Sequence, residues 1–301
     1  MHRRNTLPFR NIPVLGVEPA ANVARVAEEK GIKTEVAFFG IETATRLVSQ
    51  GAKANLIAAN NVMAHVPDIN DFIAGFKIIL AEQGILTIEF PHLLNLISCI
   101  QFDTIYHEHY SYLSLLTVEK ILKAHGLNVF DVEELPTHGG SLRVYACHSE
   151  TSQFPPTDTL TKIRQNEKAA RLDDIKAYQG FSPRVEQTKL ALLAFLKQAK
   201  IDGKKVVAYG AAAKGNTLLN FCGIGTDQIE YVVDRNPEKQ NTYLPGSHLL
   251  VHAPSKIAKT KPDYVLILPW NLAEEISQEM SHIKEWGGQF AVPIPTFKLL
   301  P

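Results

Sequence analysis

The chain has 301 residues, of which 45% are hydrophobic and 21% are charged, a composition typical of a soluble globular protein with about two domains. Basic and acidic residues number 31 each, so the charge balance does not favour a nucleic acid or another polyanion as partner. The three cysteines, Cys99, Cys147 and Cys222, have neither zinc-site nor disulfide-framework spacing. Because no secretory signal pattern and no run of about 20 apolar residues is present, we expect a cytoplasmic protein without a metal centre.

Short apolar strands alternate with helices in the first half of the chain. The predicted strands span residues 13–19, 34–39, 54–59 and 84–91, and the predicted helices span residues 21–30, 41–50 and 71–80. This alternation predicts an α/β fold with a parallel sheet covered on both faces. The third strand is largely apolar, so we expect it to be fully buried.

The sheet is predicted to end differently. A helix over residues 117–125 precedes two strands, over residues 127–135 and 141–148. The link between these strands, residues 136–140, is too short for a parallel crossover. We therefore predict an antiparallel pair.

The second half repeats the strand–helix pattern after a change in composition. Residues 151–156 are polar and proline-bearing, and residues 157–200 are charged and helix-periodic apart from Gly180 and Pro183, which predicts a linker followed by solvated connecting helices. Strands over residues 205–209, 230–233 and 263–268 then predict a smaller Rossmann-like domain. The expected division is a first domain over 1–150, a connector over 151–200 and a second domain over 201–301.

The segment Tyr-His-Glu-His-Tyr-Ser-Tyr at residues 106–112 places two imidazoles, a carboxylate and three phenols together. It lies between an apolar run and a helix-start signal, which predicts a loop at the rim of the core. Imidazoles supply a base near neutral pH, and hydroxyls can hold an oxygen-rich substrate. The alternative is a solvated polar loop with half-buried aromatic residues.

Polar residues also follow two of the predicted strands. Glu18, after the first strand, could accept hydrogen bonds from ribose hydroxyls, or it could simply be a favourable charge at a helix N-terminus. Asn60 and Asn61 follow the third strand, where the ligand crevice of such a sheet lies. Alternatively, Asn60 caps a turn and the nearby His65 packs on the next helix.

A glycine- and alanine-rich segment, residues 210–216, follows the first strand of the second half. Its backbone N–H groups and Lys214, at the expected helix start, could bind a diphosphate. The alternative is a tight strand-to-helix turn. Trp270 and Asn271 lie at the end of a later strand. The sequence is equally consistent with ligand binding and with a packing role for them.

Five segments, in order across nearly the whole chain, carry a resemblance to one family. They are GVEPA (16–20), NNVMAHVPD (60–68), FDTIYHEHYSY (102–112), HGGSLR (138–143) and YGAAAKGNT (209–217). On these segments the chain resembles the sugar C-methyltransferases that act on nucleotide-linked keto-deoxysugars. The resemblance implies a class I methyltransferase sheet, which closes with an antiparallel hairpin, and S-adenosylmethionine (SAM) as cofactor.

The resemblance also implies roles for individual residues. His109 is the expected general base, with Tyr106, Glu108 and His65 beside it in the catalytic site. Glu18, Asn60 and Asn61 are expected to bind SAM. The expected substrate-binding residues, with a nucleotide-sugar held mainly by the second domain, are His138, Arg143, Tyr209, Gly210, Lys214 and Asn216. For His138 and Arg143 the alternative is a tight Gly-Gly turn with a surface arginine.

The resemblance implies further segments that this sequence does not show. Family members begin with a cysteine-rich zinc module and a first strand with an acidic, glycine-bearing loop, whereas residues 1–11 lead straight to the second strand. We therefore expect an N-terminally truncated enzyme, as a monomer, whose sheet lacks a central strand. One alternative is a non-catalytic remnant that binds only sugar nucleotide. Another, a nicotinamide-dependent enzyme, is disfavoured because GxGxxG and Tyr-x-x-x-Lys are absent.

Overall fold

A computed structural model describes residues 12–151 and 154–300. The basic start of the chain and part of the predicted linker lie outside these residues. The strands are β1 (Leu15–Val17), β2 (Lys33–Glu35), β3 (Ala54–Asn60), β4 (Leu80–Pro91), β5 (Leu127–Leu135), β6 (Ser141–His148), β7 (Val206–Tyr209), β8 (Val232–Val233), β9 (Val251–His252), β10 (Tyr264–Ile267), β11 (Gln289–Val292) and β12 (Lys298–Leu300). The α-helices are α1 (Ala21–Glu28), α2 (Ile41–Ser49), α3 (Ile69–Ile79), α4 (Leu93–Ser98), α5 (Leu115–Ala124), α6 (Asp158–Ala169), α7 (Phe181–Ile201), α8 (Ala213–Cys222), α9 (Ser255–Thr260) and α10 (Ala273–Glu279).

The N-terminal unit, residues 12–148, contains two sheets. Strands β1 and β2 form a parallel pair, and a second sheet has the order β3-β4-β6-β5. Strand β3 is parallel to β4, whereas β6 is antiparallel to both of its neighbours. The predicted antiparallel pair is therefore confirmed, and it closes the sheet beside a parallel pair.

The prediction that β3 is fully buried is wrong. Leu56 in its centre is 66% exposed, and of the strand only Ala59 is buried. The physical reason is position, because β3 ends its sheet and no strand in the described part of the chain pairs with its outer edge. Val17 of β1 and Ile57 of β3 nevertheless pack on the same small cluster around Leu47 of α2.

Helices α6 and α7 belong to the packed structure rather than to a solvated connector. Leu160 of α6 lies in the core of the N-terminal unit, and Leu192 of α7 lies in the core of the C-terminal unit. Glu167 of α6 is fully buried and accepts from the backbone N–H of Leu115 at 2.6 Å and of Leu116 at 2.9 Å. This carboxylate, together with the side chain of Ser114, caps the start of α5 ahead of the predicted helix start.

The C-terminal unit, residues 206–300, has one six-stranded sheet in the order β12-β11-β10-β7-β8-β9. Strands β7 to β11 are parallel, and β12 is antiparallel to β11. Starting from β7, the chain adds β8 and β9 on one side and then β10, β11 and the antiparallel β12 on the other, and the parallel strands have the order of a Rossmann-like sheet. The predicted second domain type is confirmed, and its ligand crevice is expected where the order reverses, between β7 and β10.

Within the described ranges, no helix is both long enough and apolar enough to cross a membrane. The cysteines that the structure describes are all free thiols.

Candidate functional site

The segment over residues 106–112 is a loop, as predicted, and hydrogen bonds fix it at both ends. Inside the loop, the backbone N–H of His109 donates to the carbonyl of Tyr106 at 3.0 Å. At its far end, the backbone N–H of Tyr110 donates to the carbonyl of Ala64 at 2.8 Å. The loop therefore lies against the turn that follows β3, at the carboxyl end of that strand.

The imidazole of His109 is oriented by a backbone carbonyl. Its Nδ1 lies 2.7 Å from the carbonyl oxygen of Thr104, and since a carbonyl can only accept, Nδ1 carries the hydrogen. In the neutral ring this leaves Nε2 with a free lone pair. Burial lowers the pKa of His109, and the nearby His65 and Lys214 lower it further, against opposing contributions from Thr104 and Glu108. The geometry and the electrostatics both favour a neutral imidazole that can accept a proton.

Three aromatic side chains surround His109. The rings of Tyr106 and His65 lie 4.5 Å and 4.7 Å from it between centroids, and that of Tyr112 lies at 6.0 Å. His65 is held as His109 is, because its Nδ1 donates to the carbonyl of Glu108 at 3.0 Å. Burial raises the pKa of both tyrosines, so their hydroxyls remain protonated donors at neutral pH.

The strand-end residues predicted for the cofactor lie at the carboxyl ends of β1 and β3. One carboxylate oxygen of Glu18 accepts from the backbone N–H of Ala20 at 2.8 Å, which is the helix-start role weighed from the sequence. Asn60 is exposed at the end of β3. Asn61 has a left-handed backbone with φ of 55°, and its side-chain oxygen is buried without a hydrogen-bond partner among the described residues. A buried acceptor of this kind is rare, and it fits a ligand that offers a hydrogen-bond donor.

Arg143 and His138 are placed differently from one another. The guanidinium of Arg143 donates to the buried carboxylate of Glu89 at 2.9 Å and to Glu133 at 3.1 Å. Thr137 donates to the other oxygen of Glu89, so these contacts tie the turn before β6 to the end of β4. His138 is exposed in that turn, with φ of 56°.

The glycine-rich segment of the C-terminal unit forms the turn from β7 into α8. Gly210 has φ of 97° and a side chain there would overlap Pro269, so the position requires glycine. Lys214, in the first turn of α8, is half-buried, and the side-chain oxygen of Asn216 is buried with no partner in the described part of the chain. Tyr209 is only 4% exposed within the core, and this position gives no support to its predicted contact with substrate.

Asp103 was missed as a site residue, although it is an acid directly after the apolar Phe102 in the FDTIYHEHYSY segment. It is completely buried, and its Oδ2 accepts from the indole N–H of Trp270 in the C-terminal unit at 2.8 Å. Trp270 and Asn271 were predicted only as residues at a strand end. They lie beside Lys214, whose Nζ donates to Asn271 at 2.8 Å.

The described residues contain no cluster of three or more histidine, cysteine, aspartate or glutamate side chains that could hold a metal ion.

Two family models match the chain in succession. A model described as a methyltransferase domain matches residues 6–132, and a model described as a C-methyltransferase C-terminal domain matches residues 136–295. The chain is also 36% identical over 282 residues to the C-methyltransferase NovU of Streptomyces niveus, an alignment that covers 94% of this chain and 67% of that protein.

Solved structures resemble the chain more distantly. A SAM-dependent methyltransferase from Thermotoga maritima is 14% identical with a TM-score of 0.37, over 46% of this chain and 73% of that one. Magnesium protoporphyrin IX methyltransferase from Synechocystis is 15% identical with a TM-score of 0.33, over 45% and 59% of the two chains. These scores are low, and the fold assignment rests on the strand orders given above. The family models and the relative together identify the chain as a SAM-dependent member of the C-methyltransferase family.

Proposed function

We propose that this C-methyltransferase acts on a keto-deoxysugar linked to a nucleotide, with His109 as the general base. The observation that carries the proposal is the hydrogen bond from Nδ1 of His109 to the carbonyl of Thr104. It holds the imidazole in the tautomer whose Nε2 can accept a proton. C-methylation as the reaction is supported by the resemblance to sugar C-methyltransferases and by the 36% sequence identity with the C-methyltransferase NovU.

The chemistry begins at a carbon next to the sugar ketone. His109 Nε2 takes a proton from that carbon, so a C–H bond breaks, an N–H bond forms and the electron pair spreads onto the ketone oxygen as an enolate. The hydroxyls of Tyr106 and Tyr112 are the nearby donors that would stabilise the oxygen as its charge develops. Burial lowers the pKa of His109 and His65 adds to this lowering, which favours an unprotonated base before the reaction. Glu108 orients His65 through its backbone carbonyl.

The strand-end residues fit SAM. A ribose offers hydroxyl donors and an adenine offers an amino donor, while Glu18 and Asn61 present acceptors, one of them buried and unpaired. Asn60, exposed beside them, completes the set of residues that would hold the cofactor. When bound, SAM supplies an electrophilic methyl group to the carbon. The protein's contribution is to hold the enolate carbon in close contact with the methyl carbon and in line with the bond that breaks.

The C-terminal unit would hold the nucleotide part of the substrate. Gly210 lets the backbone turn sharply into α8, whose N-terminal N–H groups and Lys214 would meet a diphosphate. The unpaired oxygen of Asn216 would accept from a ribose hydroxyl or a base N–H. In the N-terminal unit, Arg143 is committed to two carboxylates, so we assign it to holding the turn that carries His138 beside the site.

The test compares His109→Asn with His107→Asn, which changes an exposed histidine in the same loop. Two reactions are followed with a nucleotide-linked keto-deoxysugar. One is methyl transfer from SAM, measured by mass spectrometry, and the other is exchange of the substrate's α-hydrogen into deuterated water, measured by NMR. We expect His109→Asn to lose both reactions by at least about 100-fold and His107→Asn to retain them, because only the former removes the base.

Calorimetric titration with SAM and with the sugar nucleotide separates the alternatives. Binding of both ligands by His109→Asn, without turnover, supports the proposal. Wild-type-like turnover in that variant would show that His109 is not the base. Binding of sugar nucleotide by the unmodified chain without any SAM binding or exchange would instead support a protein that only binds sugar nucleotides.

A further inference from the structure

The segment that leads into the catalytic loop is anchored in the C-terminal unit. Ile100 and Phe102 are buried in the core of that unit, and the ring of Phe102 lies 5.0 Å from that of Phe221 between centroids. The guanidinium of Arg184 donates to the carbonyl of Ile97 at 2.8 Å. The far end of the loop is bonded to the N-terminal unit, so the loop spans the boundary between the two units.

Asp103 is the polar residue at the centre of this anchor. Its side chain is fully buried, yet only Oδ2 has a hydrogen bond, while Oδ1 lacks a partner within the described ranges. Burial raises the pKa of Asp103 to about 7, against the opposing charge of Lys214 and the hydrogen bond from Trp270. A buried carboxyl with only one of its oxygens hydrogen-bonded lowers the stability of the fold. We therefore expect Asp103 to contribute to the function of the enzyme.

Trp270 connects Asp103 to the substrate loops of the C-terminal unit. Its indole N–H donates to Asp103, while Nζ of Lys214 lies 4.6 Å from the ring centroid. The ring also meets the N-terminal unit at Gly139, where a side chain would overlap it. The same indole therefore contacts the anchor of the catalytic loop, the Gly-Gly turn and the lysine of α8.

We propose that Asp103, Trp270 and Lys214, here called the junction triad, are positioning residues that align the catalytic loop with the substrate held by the C-terminal unit. The proposal rests on the proposed role of His109. Asp103 immediately precedes Thr104, whose carbonyl orients the His109 ring, so a shift of Asp103 moves the acceptor that fixes the base. Misplacement of reacting groups by about 1 Å can lower a rate by about 100-fold.

The first variant is Trp270→Phe, which removes the indole N–H and keeps an aromatic ring beneath Lys214. Its matched control is Trp286→Phe, because the indole N–H of Trp286 donates to the carbonyl of Pro262 at 3.0 Å, away from the junction. We expect Trp270→Phe to lower kcat by about 10- to 100-fold with little change in the KM for SAM, and the control to leave kcat unchanged. Equal effects of the two variants would overturn the proposal.

Two substitutions at Asp103 separate positioning from stability. Asp103→Leu removes the carboxyl and leaves the indole N–H of Trp270 without its acceptor, so we expect a lower unfolding temperature and, below that temperature, a loss of kcat like that of Trp270→Phe. Asp103→Asn keeps an acceptor for the indole N–H, so we expect this variant to retain most of the kcat that Asp103→Leu loses. If Asp103→Leu folds and turns over like the unmodified enzyme, the junction triad has no positioning role, even if Trp270→Phe fails to fold. If His109→Asn loses turnover while the variants of the junction triad have normal rates, only this inference is overturned. If His109→Asn remains active, the proposed function is overturned.

Discussion

The two units of this enzyme stabilise their sheets by different means. In the C-terminal unit, β7 lies in the middle of the sheet and all four of its residues are buried. In the N-terminal unit, β3 has a similarly apolar sequence but ends its sheet, and Leu56 in its centre is 66% exposed. In the N-terminal unit Arg143 joins two carboxylates, and Glu167 of the following helix α6 caps α5. The comparison shows that an apolar strand is buried by its neighbours and not by its own composition.

The largest effect on stability is expected when a leucine in the sheet of one unit is compared with a leucine in the sheet of the other. Leu266→Ala in β10 removes a side chain with no exposed surface, so we expect a loss of about 2–5 kcal/mol in the free energy of unfolding. Leu56→Ala in β3 removes a largely exposed side chain, and the expected change is within about 0.5 kcal/mol. Urea unfolding followed by circular dichroism measures both. Similar losses for the two variants would mean that β3 is covered in solution, and the contrast between the units would fail.

A smaller effect is expected from the polar contacts of the N-terminal unit. Arg143→Met leaves the buried carboxylate of Glu89 with the hydroxyl of Thr137 but without its cation, at an expected cost of about 1–3 kcal/mol. The control is Glu133→Gln, which weakens the more exposed of the two ion pairs, keeps an acceptor for the hydroxyl of Tyr145 and should cost less than about 1 kcal/mol. The same unfolding experiment ranks them, and an equal cost would show that the pair with Glu89 does not stabilise the end of β4.

The sequence predicted what depends on local pattern. The antiparallel pair β5–β6 agrees with its predicted residues because a five-residue link cannot make a parallel crossover. The loop over residues 106–112 was predicted from its composition, and the structure places His65, in the turn after β3, next to His109 of that loop. These features depend on residues that are close in sequence or share one strand end.

What the sequence did not predict depends on contacts between distant segments. Nothing near Asp103 indicates that Trp270, 167 residues later, donates to it. The exposure of β3 follows from which strands lie beside it, and the engagement of Arg143 follows from pairing of β6 with β4. Tyr209 ends a strand as a ligand-binding residue would, but the alternation of the strand directs its ring into the core.

Residues of both units contribute to the pKa of His109. Burial lowers the pKa of His109, and the hydrogen bond to Thr104 opposes it. His65 and, to a smaller extent, Lys214 of the C-terminal unit lower the pKa further, while Glu108 raises it. The proposed base acts in its neutral form, so kcat/KM, which reports the pKa values of the free enzyme, should rise with pH through this pKa, below the ordinary value for histidine. Lys214→Met removes one of the smaller lowering contributions, so the pKa should rise slightly and the acid limb of the kcat/KM profile should move slightly to higher pH. Lys189→Met, which removes a lysine that lies over Phe221, is the control and should leave the limb in place. A limb that stays in place in both variants would mean that Lys214 does not influence the pKa of His109.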